Sequence, residues 1–445
     1  MLEQTTPLAT ADPSTVVVSS RRRPSRARLA WLLSLAGPGV MVMLADTDAG
    51  SVITAAQSGA RYGYQLVASQ VALIPVLYLV QEMTARLGLV TRQGHGALIR
   101  ATFGSRWAML SATTLFAACV GALVTEFAGL AGVGELVGLP RSLSIGAPAL
   151  ALVLLVLTGR YRRVEQVGIA IGALELLFIP AALLARPQAA AVTWGLAHPL
   201  QADPRFIGLL AANVGAVIMP WMVFYQQEAV IDRDRSGGDA TRGTDESRLR
   251  AALRRARLDT ALGAVITQVV MIAILVAVAA TIGASRPGAS LDSIGAIADA
   301  LAPFLGRRTS VTLFGLGMLG AATVAALVVA LAGAWGMSEV LGWRHSLNDS
   351  PRRATGFYVL AVVATLAGAV TVLVTPDLVG LSLDVEVMNA ALLPVVVGFL
   401  LLLERHALPP EHRMRGARRA TTYVLTGLVI ALGLFTVVQV LLSTV

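Results

Sequence analysis

Apolar stretches about as long as a bilayer is thick recur along this chain, and they leave it almost no choice of solvent. Crossing ~30 Å of hydrocarbon takes ~20 apolar residues in a helix, because every backbone N–H and C=O must be satisfied inside the segment. Such stretches fall at 29–59, 65–85, 109–136, 144–159, 166–185, 206–231, 258–282, 309–340, 354–375, 379–403 and 421–443. With 56% hydrophobic and 14% charged residues and a mean hydropathy of +0.72, no soluble domain fits between them. The expected fold class is all-α integral membrane, with about eleven transmembrane helices.

Charge placement fixes the expected topology. All 35 basic residues are Arg, and with the N-terminus inside, 28 of them fall on the cytoplasmic side and 7 outside. Segments rich in Arg resist translocation, so this asymmetry predicts a multi-pass protein of the cell membrane with a cytoplasmic N-terminus. The net charge of +9 then reads as topology and contact with anionic lipid head groups, and nucleic acid is not an expected partner. The single cysteine, Cys119, excludes a disulfide framework and a cysteine-based metal site. Residues 1–28 are expected to be a disordered cytoplasmic segment with no removable signal peptide, and 29–445 a single transmembrane domain. Within it, Asp232–Arg257 reads as a polar loop that begins Gly-rich and ends as a basic amphipathic helix on the membrane surface.

Two spans are interrupted at comparable places, the first by Asp48-Ala49-Gly50-Ser51 and the sixth by Gly215 through Met219-Pro220. Broken helices in matching positions of two halves point to a secondary transporter with inverted repeats and a site at the bilayer midplane. The halves would span about 29–185 and 206–403, with an extra helix at 421–443. Pro220 lacks a backbone donor, and Gly50 and Gly215 permit non-helical dihedrals, so carbonyls near both breaks are expected to face a ligand.

A carboxylate at bilayer depth costs a few kcal/mol even on lenient scales, and so marks function by default. Asp46 and Asp48 both sit at such depth. Either one pairing with an Arg or a helix terminus is the competing explanation, but no Arg lies in mid-span nearby. Two carboxylates this close repel unless a cation sits beside them. Met219 offers a thioether at the second break, suited to Mn, Fe or similar ions and of little use to Mg or Ca, although most Met residues in membrane helices simply pack.

The run Gly37-Pro38-Gly39, then Asp48-Ala49-Gly50-Ser51 and Gly59-Ala60-Arg61-Tyr62-Gly63-Tyr64, resembles the first helix of the Nramp divalent metal transporters, where the motif reads DPGN. Asn213 through Pro220 is similar to that family's GATVMP break, and Ala85-Arg86-Leu87-Gly88-Leu89-Val90-Thr91 is typical of it. The resemblance implies a LeuT-like 5+5 inverted repeat with discontinuous helices 1 and 6. It also implies metal ligation by the Asp48 and Ser51 side chains, the Ala45 and Ala216 carbonyls and the Met219 sulfur.

Several positions depart from the family pattern. Ser51 replaces Asn and leaves room for a water. Trp221 stands where the family has His, Gln226 replaces a later His, and the acidic pair of the third helix is half kept as Glu126 with Gly129. All five histidines lie in expected loops or at their edges, which puts in doubt a proton path built on buried His. In the tenth span Glu386 aligns with a family Gln. Asp384 is two residues away and must point to another face, so Glu386 is the inward candidate, with Asn389 one turn on.

These departures resemble the Nramp-related branch that includes magnesium transporters, since added carboxylate and a small hydroxyl suit a hard, partly hydrated ion. Met219 argues for a softer one. The expected function is import of divalent metal ions, Mn2+ or Fe2+ favoured, with uncoupled Mg2+ transport as the alternative. No cofactor is expected beyond the transported ion, and a monomer is the default. A LeuT-fold carrier of an organic acid is disfavoured because Asp48 would repel its carboxylate. A membrane-embedded enzyme is excluded by the absence of His from the spans and of any HExxH-like spacing.

Overall fold

The computed structural model describes residues 38–158, 168–198, 203–236, 245–286, 288–291, 293–345 and 349–443. The expected disordered segment 1–28, the start of the first span, the Arg160–Arg163 turn and the Gly-rich part of the long polar loop lie outside the described residues. From Pro38 onward the described chain is one compact unit, and all of its regular elements are helices.

Eight helices are long and apolar enough to cross a membrane: Val67–Thr91, Ser105–Leu136, Pro204–Asp234, Glu246–Gly283, Arg307–Leu341, Thr355–Val374, Leu378–His406 and Gly416–Leu442. Two bent pairs raise the number to ten. The first span runs as Gly39–Asp46 and Ala49–Tyr62, bent by 52°, and the fifth as Gly168–Leu184 followed by Ala189–Ala197, bent by 108°. Arg141–Leu157, with Pro148 inside it, falls where the fourth span was expected but is a shorter apolar helix than the eight. The described residues thus hold eight to ten apolar spans, against about eleven expected.

Three segments differ from expectation. The polar loop 232–257 is largely helical: the sixth span continues to Ser236, and the seventh begins at Asp245 in one uninterrupted helix to Val278. Its basic residues from Arg248 to Arg257 therefore lie on the helix of the seventh span instead of on a separate surface helix. Ala189–Ala197 turns sharply away from the fifth span where a plain loop was expected. A further helix, Ile294–Leu305, joins the seventh and eighth spans, N-capped by the Ser293 hydroxyl accepting from Ala296 N–H at 3.1 Å.

The third span packs most extensively on the eighth, the second on the seventh, and the first half of the sixth, Pro204–Val217, on the tenth. These contacts enclose the two halves of the first span, whose residues from Gly39 to Ala60 are buried throughout. Both broken spans therefore sit at the centre of the bundle, shielded from lipid. That shielding is the condition under which irregular backbone at membrane depth is tolerated.

Candidate functional site

The first span loses helical form at Thr47 and Asp48, earlier than the expected interruption at 48–51. The cause is a cap. The Asp48 carboxylate accepts the Ser51 N–H at 2.7 Å and so starts the helix at Ala49, which makes Gly50 and Ser51 part of its first turn. On the other side, the last carbonyls of Pro38–Asp46, Ala45 among them, have no following turn to bond them. The Ser51 hydroxyl lies 3.0 Å from the Asp46 carbonyl and 2.8 Å from the Ala216 carbonyl, so its one proton ties together the two breaks. Thr47 meets Thr267 of the seventh span, hydroxyl to hydroxyl, at 2.5 Å.

At the second break the helix continues through Gly215 and Ala216 to Val217, leaving only Ile218 and Met219 outside helical form. Pro220 opens the next half, where its missing N–H costs nothing. Gly50 and Gly215 are both helical and neither has a positive φ, so the expected role for glycine, freedom of backbone dihedral, is not the one played. A Cβ on Gly50 would sit 2.1 Å from Glu386 Oε1, and one on Gly215 2.0 Å from the Glu386 carbonyl. Both glycines let the broken spans close on one residue of the tenth span.

Around this contact the described structure gathers buried oxygen atoms. Glu126 Oε2 accepts the Ala49 N–H at 3.1 Å. Glu386 Oε2 accepts from Asn389 Nδ2 at 3.1 Å. Asp46 Oδ1, Asp48 Oδ2, Glu386 Oε1 and Asn389 Oδ1 have no protein donor, on side chains that are 2% exposed or less; Gln226 Oε1, about two turns beyond Met219 along the sixth span, also has none. Unpaired carboxylate oxygens at such depth are costly without a cation or a proton. Asp384 is exposed while Glu386 is fully buried, as their spacing requires.

Met219 and Trp221 are fully buried, and the Trp221 indole N–H donates to the Met219 sulfur at 3.1 Å. Among the described residues no three His, Cys, Asp or Glu side chains converge closely enough to hold an ion. An ion at these breaks would need the carbonyls and the thioether as well.

Several features were not foreseen from the sequence. Glu175, in a 3-10 turn of the fifth span, is fully buried with neither carboxylate oxygen partnered. A carboxylate within an apolar span with no Arg beside it was signal enough to find it. Glu82, near the end of the second span, is gripped by Arg86 at 3.4 Å, Arg257 at 2.9 Å and Arg418, while Arg86 also reaches Glu404 at 3.3 Å. Only the pair Glu82 and Arg86, one turn apart, was visible in sequence. His95 is buried at the start of a short helix, His95–Phe103, and bonds Gln227 of the sixth span at 3.0 Å. Burial pushes its imidazole down to about 4, so it is neutral near pH 7.

A multi-pass helical bundle broken in its first and sixth spans, with acidic and sulfur side chains at the breaks, has the architecture of a LeuT-like transporter. The fold superposes on the Eremococcus coleocola manganese transporter with a TM-score of 0.75 at 21% identity, covering 92% of this chain and 87% of that one. It also superposes on MhsT, solved with L-phenylalanine, at 0.56 and 14% identity, covering 90% and 97%. The chain belongs to the Nramp family: the family of natural resistance-associated macrophage protein-like proteins matches it over residues 39–439. A relative named divalent metal cation transporter MntH, from Chromohalobacter salexigens, is 30% identical over 342 residues, 75% of each chain. The Eremococcus coleocola and Chromohalobacter salexigens proteins are both named as transporters, and neither as an enzyme.

Proposed function

We propose that this protein is a secondary transporter that imports divalent metal ions across the cell membrane, Mn2+ or Fe2+ preferred, through a site between the breaks of its first and sixth spans. The observation that carries this reading is the Ser51 hydroxyl held between the Asp46 and Ala216 carbonyls, beside Asp48, whose second oxygen has no donor. The ligands proposed are the Asp48 and Ser51 side chains, the Ala45 and Ala216 carbonyls, Met219 and Glu386, with Asp46, Asn389, Glu126, Trp221 and Gln226 around them.

In this mechanism an ion arrives from outside, sheds part of its water at Asp48 and Ser51, and meets the Met219 sulfur. Rocking of the first and sixth spans then opens the site to the cytoplasm. The Arg-rich side is the cytoplasmic one, where those residues lie against anionic lipid heads, and the chain acts as a monomer. An inside-negative potential favours entry by ~2.3 kcal/mol per charge per 100 mV, so uptake does not require a proton gradient. The MhsT-like fold would also accept an organic solute, but a carboxylate at Asp48 and the orphaned oxygens suit a cation far better than an organic acid.

A second reading, uncoupled Mg2+ transport, is favoured by one contact. The Trp221 N–H occupies a lone pair of Met219, leaving less of the sulfur for a soft ion, while Glu386 and Ser51 add hard oxygen. Mn2+ uptake into proteoliposomes, run against excess Mg2+ and Ca2+ with an internal pH dye, separates the two. Uptake that resists Mg2+ supports a transition-metal carrier. Uptake abolished by Mg2+ with no pH change establishes the magnesium reading, and no uptake of either ion refutes both.

A further inference from the structure

Glu175 has no part in the transport site just described, yet it is fully buried with both carboxylate oxygens unpartnered. Its place follows from packing register. A Cβ on Gly168 would touch Met41 Cε at 3.2 Å, and one on Gly172 would touch Leu44 Cβ at 3.4 Å. Four residues along the fifth span thus match three along the first, and the two helices run parallel. One more turn brings Glu175 level with the break at Thr47 and Asp48. The eighth span closes the far side, since a Cβ on Gly320 would lie 2.6 Å from the Ile171 carbonyl and 3.5 Å from the Glu175 nitrogen.

The helix is wound as 3-10 over Ala173–Leu177, right at this level. Asp46 and Asp48 are the carboxylates that flank that break, and neither oxygen of Glu175 has a hydrogen-bond partner among the described residues. Asp46 Oδ1 is likewise without a donor, and the hydroxyls of Thr47 and Thr267 meet beside the same break. Unpaired carboxylate oxygens in a low-dielectric core need a cation or a proton beside them.

We propose that Glu175 and Asp46 form a second cation site, on the flank of the inner half of the first span, that receives the divalent ion after it leaves Asp48 and Met219. The inference rests on the transport reading above. Its side chains offer oxygen only, so it takes hard ions, Mn2+ and Mg2+ alike, in contrast to the thioether-containing site. Asp46 is shared between the two descriptions as a neighbour of the first site and a ligand of the second.

The test is a count of bound Mn2+ by electron paramagnetic resonance on the full chain in lipid nanodiscs, with excess Mg2+ added as competitor. The wild type is expected to bind two Mn2+ per chain, one of them displaced by Mg2+. Glu175→Gln should bind one Mn2+ and lose the Mg2+-sensitive step. One Mn2+ in the wild type overturns the inference and leaves the transport site standing, whether or not the variant folds. The same holds if Glu175→Gln alters only proton release on Mn2+ binding, since Glu175 would then hold a proton and no metal ion. No Mn2+ bound by the wild type overturns the transport reading and this inference with it.

Discussion

The two breaks solve the same problem with different chemistry. The first is polar: Asp48 caps the outgoing helix, Thr47 bonds Thr267, and the span bends by 52°. The second is apolar, with only Ile218 and Met219 out of helical form, and Pro220 starts the next half without any side-chain cap. The helix is interrupted there, yet Pro204–Asp234 remains one apolar length of 31 residues. On the proposed ligand set, charge enters the site from the first break, while the second contributes a carbonyl and a sulfur. On this division the first break sets whether a cation binds, and the second sets which cation.

The strongest attempt to break the comparison is Asp48→Ala. It removes both the charge and the cap that begins the helix Ala49–Tyr62, which by itself is worth ~1 kcal/mol. Mn2+ uptake in proteoliposomes is expected to fall at least about 100-fold, since ~3 kcal/mol of charge-based binding corresponds to that factor. Near-normal uptake would place the ion elsewhere. Asp48→Asn separates the two roles, because Asn caps as well as Asp but carries no charge; uptake should be lost while the melting temperature is kept.

How much of this was legible in sequence follows from the same contrast. The spans were readable because hydrophobic length is a one-dimensional signal, and the Arg asymmetry ordered them. The breaks were located to within a few residues, but their edges were not, because Asp48 caps a helix that already begins at Ala49 and Pro220 belongs to the helix it starts. The glycines were misread for a deeper reason. Gly50 and Gly215 are helical, and their smallness answers to Glu386 more than a hundred residues away, a contact no local dihedral argument contains. Glu82 shows the same limit: two of its three Arg partners come from spans far along the chain. Glu175 was different, since a buried carboxylate in an apolar span was there to be noticed.

The two glycines give the next test, of intermediate size. A Cβ at Gly50 meets the end of the Glu386 side chain, which can swing away, whereas one at Gly215 meets the Glu386 carbonyl at 2.0 Å and the Ala390 nitrogen at 2.8 Å, which cannot. Gly215→Ala should therefore destabilise the bundle by about 1–3 kcal/mol, as overpacking does, lowering the melting temperature by several degrees. Gly50→Ala should leave the melting temperature near that of the wild type and reduce Mn2+ uptake roughly 10-fold, or ~1.4 kcal/mol, by displacing a carboxylate from the site. Equal melting temperatures for the two variants would show that the close approach at the second break is not structural.

The smallest effect, and the sharpest for the division of labour, is expected from Met219→Ala. The thioether contributes to soft ions and little to hard ones, so its loss should weaken Mn2+ binding while Mg2+ or Ca2+ binding holds or improves. Because the Trp221 N–H already draws on one sulfur lone pair, the shift in the Mn2+ to Mg2+ affinity ratio should be modest, about 3- to 10-fold by isothermal titration, or ~0.7–1.4 kcal/mol. Trp221→Phe keeps the aromatic volume and frees that lone pair, so it should move the ratio the opposite way, toward Mn2+. If Trp221→Phe shifts the ratio and Met219→Ala abolishes the shift, sulfur at the second break selects the ion. If neither changes the ratio, Met219 is packing, and selectivity lies with the carboxylates of the first break and Glu386.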